Sequence, residues 1–113
     1  MKDIYKYSII STVLSKDNTI REMSNIFKIL SDVARLKIVL ALQEGELSVS
    51  ELVDYTNFSQ SLISHHLKIL RDANLARSRR KGRRMLYSLA DSHIYALLAV
   101  AHDHANETVK DDE

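Results

Sequence analysis

Residues 48–72 read SVSELVDYTNFSQSLISHHLKILRD, and this stretch decides the fold. Ser48 or Ser50 can cap a short helix that turns Leu52 and Val53 inward. A polar break around Thr56 and Asn57 follows, and Ser59 can cap a second helix over 60–72. Within it, Leu62, Ile63, Leu67 and Leu70 form the expected inward set. Two short helices joined by a few polar residues fit a helix-turn-helix.

The second helix separates its chemistry by position. Gln60, Ser61, Ser64 and His65 cluster on the first two turns away from the apolar set, with Lys68 beyond them. A helix that reads DNA carries small polar groups near its N-terminus, where they reach base edges and phosphates. Glutamine can bond adenine in bidentate fashion, and serine serves base or phosphate. Taken alone, a capped and solvated helix explains the same residues equally well.

The next segment shifts that balance. Residues 75–79 and 84–89 read as two strands, joined by Arg80-Lys81-Gly82-Arg83, with Met85, Tyr87 and Leu89 sharing one face. Six of the eight residues from Arg77 to Arg84 are Lys or Arg, and Gly82 permits a tight turn. A charge run by itself is ordinarily a solvated face. Directly after a helix-turn-helix it is better explained as a wing, in which Arg79, Arg80, Lys81, Arg83 and Arg84 grip phosphate.

Charge is segregated in the same way. Residues 59–90 carry eight basic side chains against Asp72 alone, a balance of +7, whereas 1–58 sum to −1 and 91–113 to −5. The net +1 therefore hides a block suited to a polyanion. At 113 residues the chain suits one domain, expected over 1–107, with a modest core completed in a homodimer. No proline and only two glycines argue for a mainly α protein with one β-hairpin. No apolar run is long enough to span a bilayer and no export signal is evident, so a cytoplasmic protein without membrane contact is expected. Cysteine is absent, which excludes disulfides and thiolate metal sites.

Upstream, residues 4–16 suit a dimerisation helix with Ile4, Tyr7, Ile10, Val13 and Leu14 on its apolar side. Residues 17–30 follow with Ile20, Met23, Ile26, Phe27 and Leu30 at helical spacing. A third helix, capped by Ser31 or Asp32, carries Leu36, Ile38, Val39 and Leu42 and ends at Gly45. Downstream, a helix over 91–107 carries Ile94, Leu97, Leu98 and Ala101, and 108–113 form an acidic tail expected to fray.

Residues from about 20 to 107 resemble the ArsR/SmtB family of metal-sensing winged-helix repressors. The matching stretches are Phe27-Lys28-Ile29-Leu30-Ser31-Asp32 with Arg35, Ser59-Gln60-Ser61 through Ser64-His65-His66-Leu67-Lys68-Ile69-Leu70, and Lys81-Gly82-Arg83 with Tyr87-Ser88-Leu89. The resemblance implies a winged helix-turn-helix homodimer on a palindromic double-stranded DNA operator, repressing a metal-resistance or efflux gene.

The last helix carries the candidate regulatory residues. His93 and His104 lie 11 positions apart, so they share a face within about 20° but sit about 16 Å apart along the axis. Metal–ligand bonds are near 2 Å, so one chain cannot close both around one ion. An antiparallel copy of the helix brings His104 and Glu107 of one subunit beside Asp91 and His93 of the other, giving two equivalent sites. Asp91 and His93 converge if Asp91 is the N-cap, and His104 and Glu107 are surface neighbours at i, i+3. His102 points to the opposite side.

This spacing resembles the C-terminal helix site of the family's zinc-sensing branch, which implies Asp91, His93, His104 and Glu107 as ligands. Ser48 stands where a second, cysteine-containing site would need a thiolate. Four N and O donors suit Zn(II), with Co(II) a close competitor and Ni(II) if water completes the shell. Imidazoles ligate only when neutral, so the response is expected to weaken as pH falls toward ~6. Two other readings stand beside this one. A metal-dependent hydrolase would need an open coordination position and a general base, neither of which is evident. A metal-independent winged-helix regulator would carry the same DNA-facing residues without the metal response.

Overall fold

The computed structural model describes residues 17–112, with side chains described through residue 107. The expected helix over 4–16 lies outside the described residues. Backbone contacts divide the described residues into two compact units, which meet between Asp32 and Val33 in the sequence.

In the first unit, α1 spans Asp17–Leu30, as the apolar spacing predicts. Leu30 is buried, whereas Ile20, Met23 and Phe27 leave an open apolar stripe.

The second unit runs α2 (Val33–Leu42), β1 (Leu47–Ser48), α3 (Val49–Thr56), α4 (Gln60–Asp72), β2 (Ala76–Lys81), β3 (Arg84–Leu89) and α5 (Ser92–Asp112). Ser48 is the cap of α3. Its Oγ accepts from the Glu51 N–H at 3.2 Å, and the Glu51 carboxylate accepts from the Ser48 N–H at 3.0 Å. This reciprocal capping box satisfies two otherwise orphaned donors. Asn57 ends α3 in the left-handed region at φ 63°, and the Ser59 hydroxyl then caps α4 by accepting from Leu62 N–H at 3.1 Å.

The exit from α4 is equally specified. The Leu75 N–H donates to Leu70 O at 2.8 Å and the Asn74 N–H to Arg71 O at 3.0 Å, with Asn74 at φ 60°. That is the Schellman pattern, with asparagine taking the left-handed position usually held by glycine. It reverses the chain so that Leu75 and Ala76 are buried as the sheet begins.

The sheet is antiparallel, in the order β1-β3-β2. β2 runs two residues further than the spacing predicts, pairing Lys81 with Arg84, so the connection is only Gly82-Arg83. Gly82 at φ 63° opens this two-residue loop in the manner of a type II′ turn. β1 was not foreseen. It is two residues long and acquires its conformation from pairing Leu47 with Tyr87 and Ser48 with Leu86.

The core of this unit is Ile38, Val39, Leu42, Leu52, Ile63, Leu67, Leu70, Leu75, Leu86, Ile94 and Leu98. Two expectations need correcting. Leu62 is exposed rather than inward, because it sits about 110° around α4 from the centre of the Ile63–Leu67–Leu70 face. Its place in the core is taken by His66, which is 8% exposed. On β3 it is Leu86 that is buried, whereas Met85, Tyr87 and Leu89 are only partly covered. α5 is continuous to Asp112, five residues into the stretch expected to fray. Among the described residues no helix is long and apolar enough to cross a membrane.

Candidate nucleic-acid interface and regulatory helix

The first two turns of α4 present Gln60, Ser61, Ser64 and His65 to solvent, as their spacing predicts. The Ser59 cap fixes where this helix starts, and Ile63, Leu67 and Leu70 fix its rotation. Leu62 joins the exposed set and adds an apolar group beside Ser61. Lys68 is also exposed and pairs with Asp72 one turn on, at 3.1 Å. Gln60 contributes to a groove of about 420 Å³ that the cap residue Ser48 and Ser50 and Asp54 of α3 share with Arg84 and Met85 of β3.

Beyond Arg77, the wing's cations fall into two groups. Arg80, Lys81 and Arg83 surround the turn, exposed and without ion pairs among the described residues. Arg79 and Arg84 are engaged. The Arg79 guanidinium donates from Nε and Nη2 to both Glu46 oxygens, at 2.6 and 2.7 Å, and Arg84 Nη2 donates to Glu51 Oε1 at 2.6 Å. Hydrogen bonding from Arg79 holds the Glu46 carboxyl below its ordinary value, and the Glu46 carboxylate raises Arg79 in turn. Glu51 is also lowered, first by the Ser48 backbone N–H and then by the Ser48 hydroxyl, with Arg84 adding to the effect. Arg71 joins α4 to the wing by donating to Ser78 Oγ at 3.2 Å. Glu46, Glu51 and Arg71 carried no signal in the sequence reading, since the two carboxylates lie 33 positions from the arginines they meet.

At the start of α5, Asp91 is the N-cap: its Oδ1 accepts from Ile94 N–H at 3.0 Å. This draws the carboxylate to within 3.7 Å of His93 Nδ1, so the two residues converge at the helix entry. His104 and Glu107 lie exposed toward the other end of the helix. His102 has turned to Asp103, with 3.5 Å between Nδ1 and Oδ1. Among the described residues of the single chain, no three His, Asp or Glu gather closely enough to hold a metal ion.

Comparison with known proteins places this geometry. Residues 32–78 match the family model described as bacterial regulatory protein, arsR family. The chain is 40% identical over 96 residues to a transcriptional repressor SmtB homolog of Synechocystis sp., spanning 85% of this chain and 72% of that protein. The chain belongs to the arsR family of bacterial regulatory proteins. Another member, the cadmium resistance transcriptional regulatory protein CadC homolog of Staphylococcus aureus, is 37% identical over 83% of this chain and 78% of its own length. Among solved structures, the homodimeric winged helix-turn-helix DNA-binding domain of a possible ArsR-family regulator from Mycobacterium bovis superposes with a TM-score of 0.75. It is 26% identical, over 80% of this chain and 84% of that one. The α3–α4 pair and the β2–β3 hairpin are thus the helix-turn-helix and wing of an arsR-family regulator, and the chain is not an enzyme.

Proposed function

We propose that this chain is a dimeric transcriptional repressor that binds a palindromic DNA operator in its metal-free form and releases it when Zn(II) binds at α5. The observation that carries the DNA half is the exposed polar start of α4 beside a wing whose turn carries three exposed cations. Gln60, Ser61, Ser64 and His65 would contact base edges and nearby phosphates, with Arg80, Lys81 and Arg83 on the backbone alongside. The open stripe of Ile20, Met23 and Phe27 on α1, and Tyr95 and Val100 on α5, suit burial against a second copy. The regulatory names of the relatives, one of them tied to cadmium resistance, favour a metal as effector. The setting is the cytoplasm, where DNA is found.

Support for the metal half comes from the entry to α5. The Asp91 cap brings a carboxylate and an imidazole together without a third such partner among the described residues. An all-N/O set with solvent-open members fits Zn(II) or Co(II), and a subunit-bridging set needs its remaining donors from elsewhere. Asp91 and His93 of one subunit with His104 and Glu107 of its partner would hold the ion. Bound there, Zn(II) would supply a cross-link between the two C-terminal helices. His93 and His104 sit on the same helix as Ile94 and Leu98, which anchor α5 in the core, so a change in α5 pairing reaches the spacing of the two α4 helices. Because binding free energies are reciprocal, DNA must weaken metal binding by the factor that metal weakens DNA binding. The test is a Zn(II) titration of the DNA-bound chain at fixed salt; unchanged affinity with zinc bound refutes the coupling.

A further inference from the structure

We propose, resting on the DNA-binding reading above, that Glu46 and Glu51 are built-in competitors of DNA phosphate for Arg79 and Arg84. They cap the number of cations that the wing offers a duplex.

The register of the sheet carries the case. β1 and β2 lie on opposite sides of β3, and Ser48 and Arg79 are both paired with Leu86. To reach Glu46, two residues before Ser48, the Arg79 side chain must therefore cross β3. It arrives as a fork, with both donors on both carboxylate oxygens at 2.6 and 2.7 Å. A guanidinium uses that same planar, two-donor geometry for a phosphate diester. The side chains of Arg79 and Glu46 remain 55% and 35% exposed, so an incoming anion can reach the pair and solvent keeps it weak.

Glu51 holds the second arginine from a fixed position. Its Oε1 accepts from the Ser48 N–H that opens α3 and from Arg84 at 2.6 Å. Between residues 59 and 90 the only acid is Asp72, which pairs with Lys68, so the wing contains no carboxylate of its own. Both carboxylates that engage it come from the segment just before and within the first helix of the helix-turn-helix. A phosphate that takes Arg79 must displace Glu46 and leave its carboxylate bare beside a polyanion. The turn cations Arg80 and Arg83 face no such competitor among the described residues, and Lys81, whose charge also acts on Glu46, forms no ion pair with it.

The experiment uses the full chain and a labelled duplex selected by it from a random library. Affinity is measured from 50 to 300 mM KCl for the wild type, Glu46→Gln, Glu44→Gln and the double variant Glu46→Gln/Arg79→Gln. Releasing one guanidinium adds one phosphate contact per subunit. The slope of log K against log salt then steepens by about 0.9 per subunit, and affinity at 0.15 M rises about fivefold per subunit. Glu44 is exposed and forms no ion pair among the described residues, so Glu44→Gln, two residues away, makes the same charge change and is expected to leave the slope alone. The double variant is expected to return to the wild-type slope. An unchanged or weaker Glu46→Gln, or an equal gain from Glu44→Gln, overturns the inference while leaving DNA binding intact. A wild type that binds no duplex removes the DNA reading and this inference together. Circular dichroism melts confirm that each variant is folded.

Discussion

Replacing Arg80, Lys81 and Arg83 together by glutamine gives a quantitative test of the wing. These three surround the Gly82 turn and form no ion pair among the described residues, so each is available to one phosphate. At about 0.9 per neutralised phosphate, the slope of log K against log salt should become shallower by about 2.7 per subunit, and about 5.4 for a bound dimer. Between 50 and 200 mM salt the wild type should therefore lose about 40-fold more affinity per subunit than the variant. Fluorescence anisotropy on a fixed duplex across that range reads the slope directly. The variant should keep its sequence preference, because phosphate contacts position the protein and base contacts choose the site. A slope change below one per subunit would refute the assignment of these residues to phosphate. So would a loss of sequence preference without a change in slope.

Three further outcomes follow from named residues. Leu67 is 1% exposed in the centre of α4's inner face, so Leu67→Ala should cost about 2–5 kcal/mol in urea unfolding; a cost under about 1 kcal/mol would contradict its place in the core. His104→Ala should leave the metal-free affinity for DNA within about twofold and abolish the response to zinc; a retained response would remove His104 from the ligand set. Glu46 and Glu51 have carboxyls held below the ordinary value of 4.5 in the folded chain. A lowered folded-state value means stability that is present above 4.5 and lost as pH falls below it. Thermal melts should therefore show a smaller loss on acidification for Glu46→Gln than for the wild type, and parallel curves would contradict the ion pair's contribution.

Much of this fold is legible from side-chain spacing, because local periodicity and caps decide it. Asp17–Leu30 follows from apolar residues at helical intervals, and Ser59 and Asp91 announce helices by the hydrogen bonds that their side chains can make. What escaped depends on partners distant in sequence. Leu47–Ser48 is a strand only because Leu86 and Tyr87 pair with it. His66 is polar by type, yet it lies three residues from Ile63 and four from Leu70 and so turns inward with them. Leu62 shows the opposite error, an apolar residue on the flank of the helix.

The functional surfaces divide along the same line. The polar start of α4 could be read from residue order, and so could the convergence of Asp91 with His93 at a helix cap, which the 3.7 Å separation matches. The division of the wing into paired and unpaired arginines could not. A run of six cations in eight residues looks uniform until Glu46 and Glu51 are placed beside two of them.

Operator affinity with and without zinc is the most direct measurement. The full chain, a library-selected duplex and 0.15 M salt are held fixed, and equilibrium dialysis records the zinc bound. Saturation should weaken DNA binding by a factor in the range of about 5 to 150, as typical coupling free energies give. A dissociation constant that does not change once zinc is bound would contradict the claim that α5 regulates the helix-turn-helix.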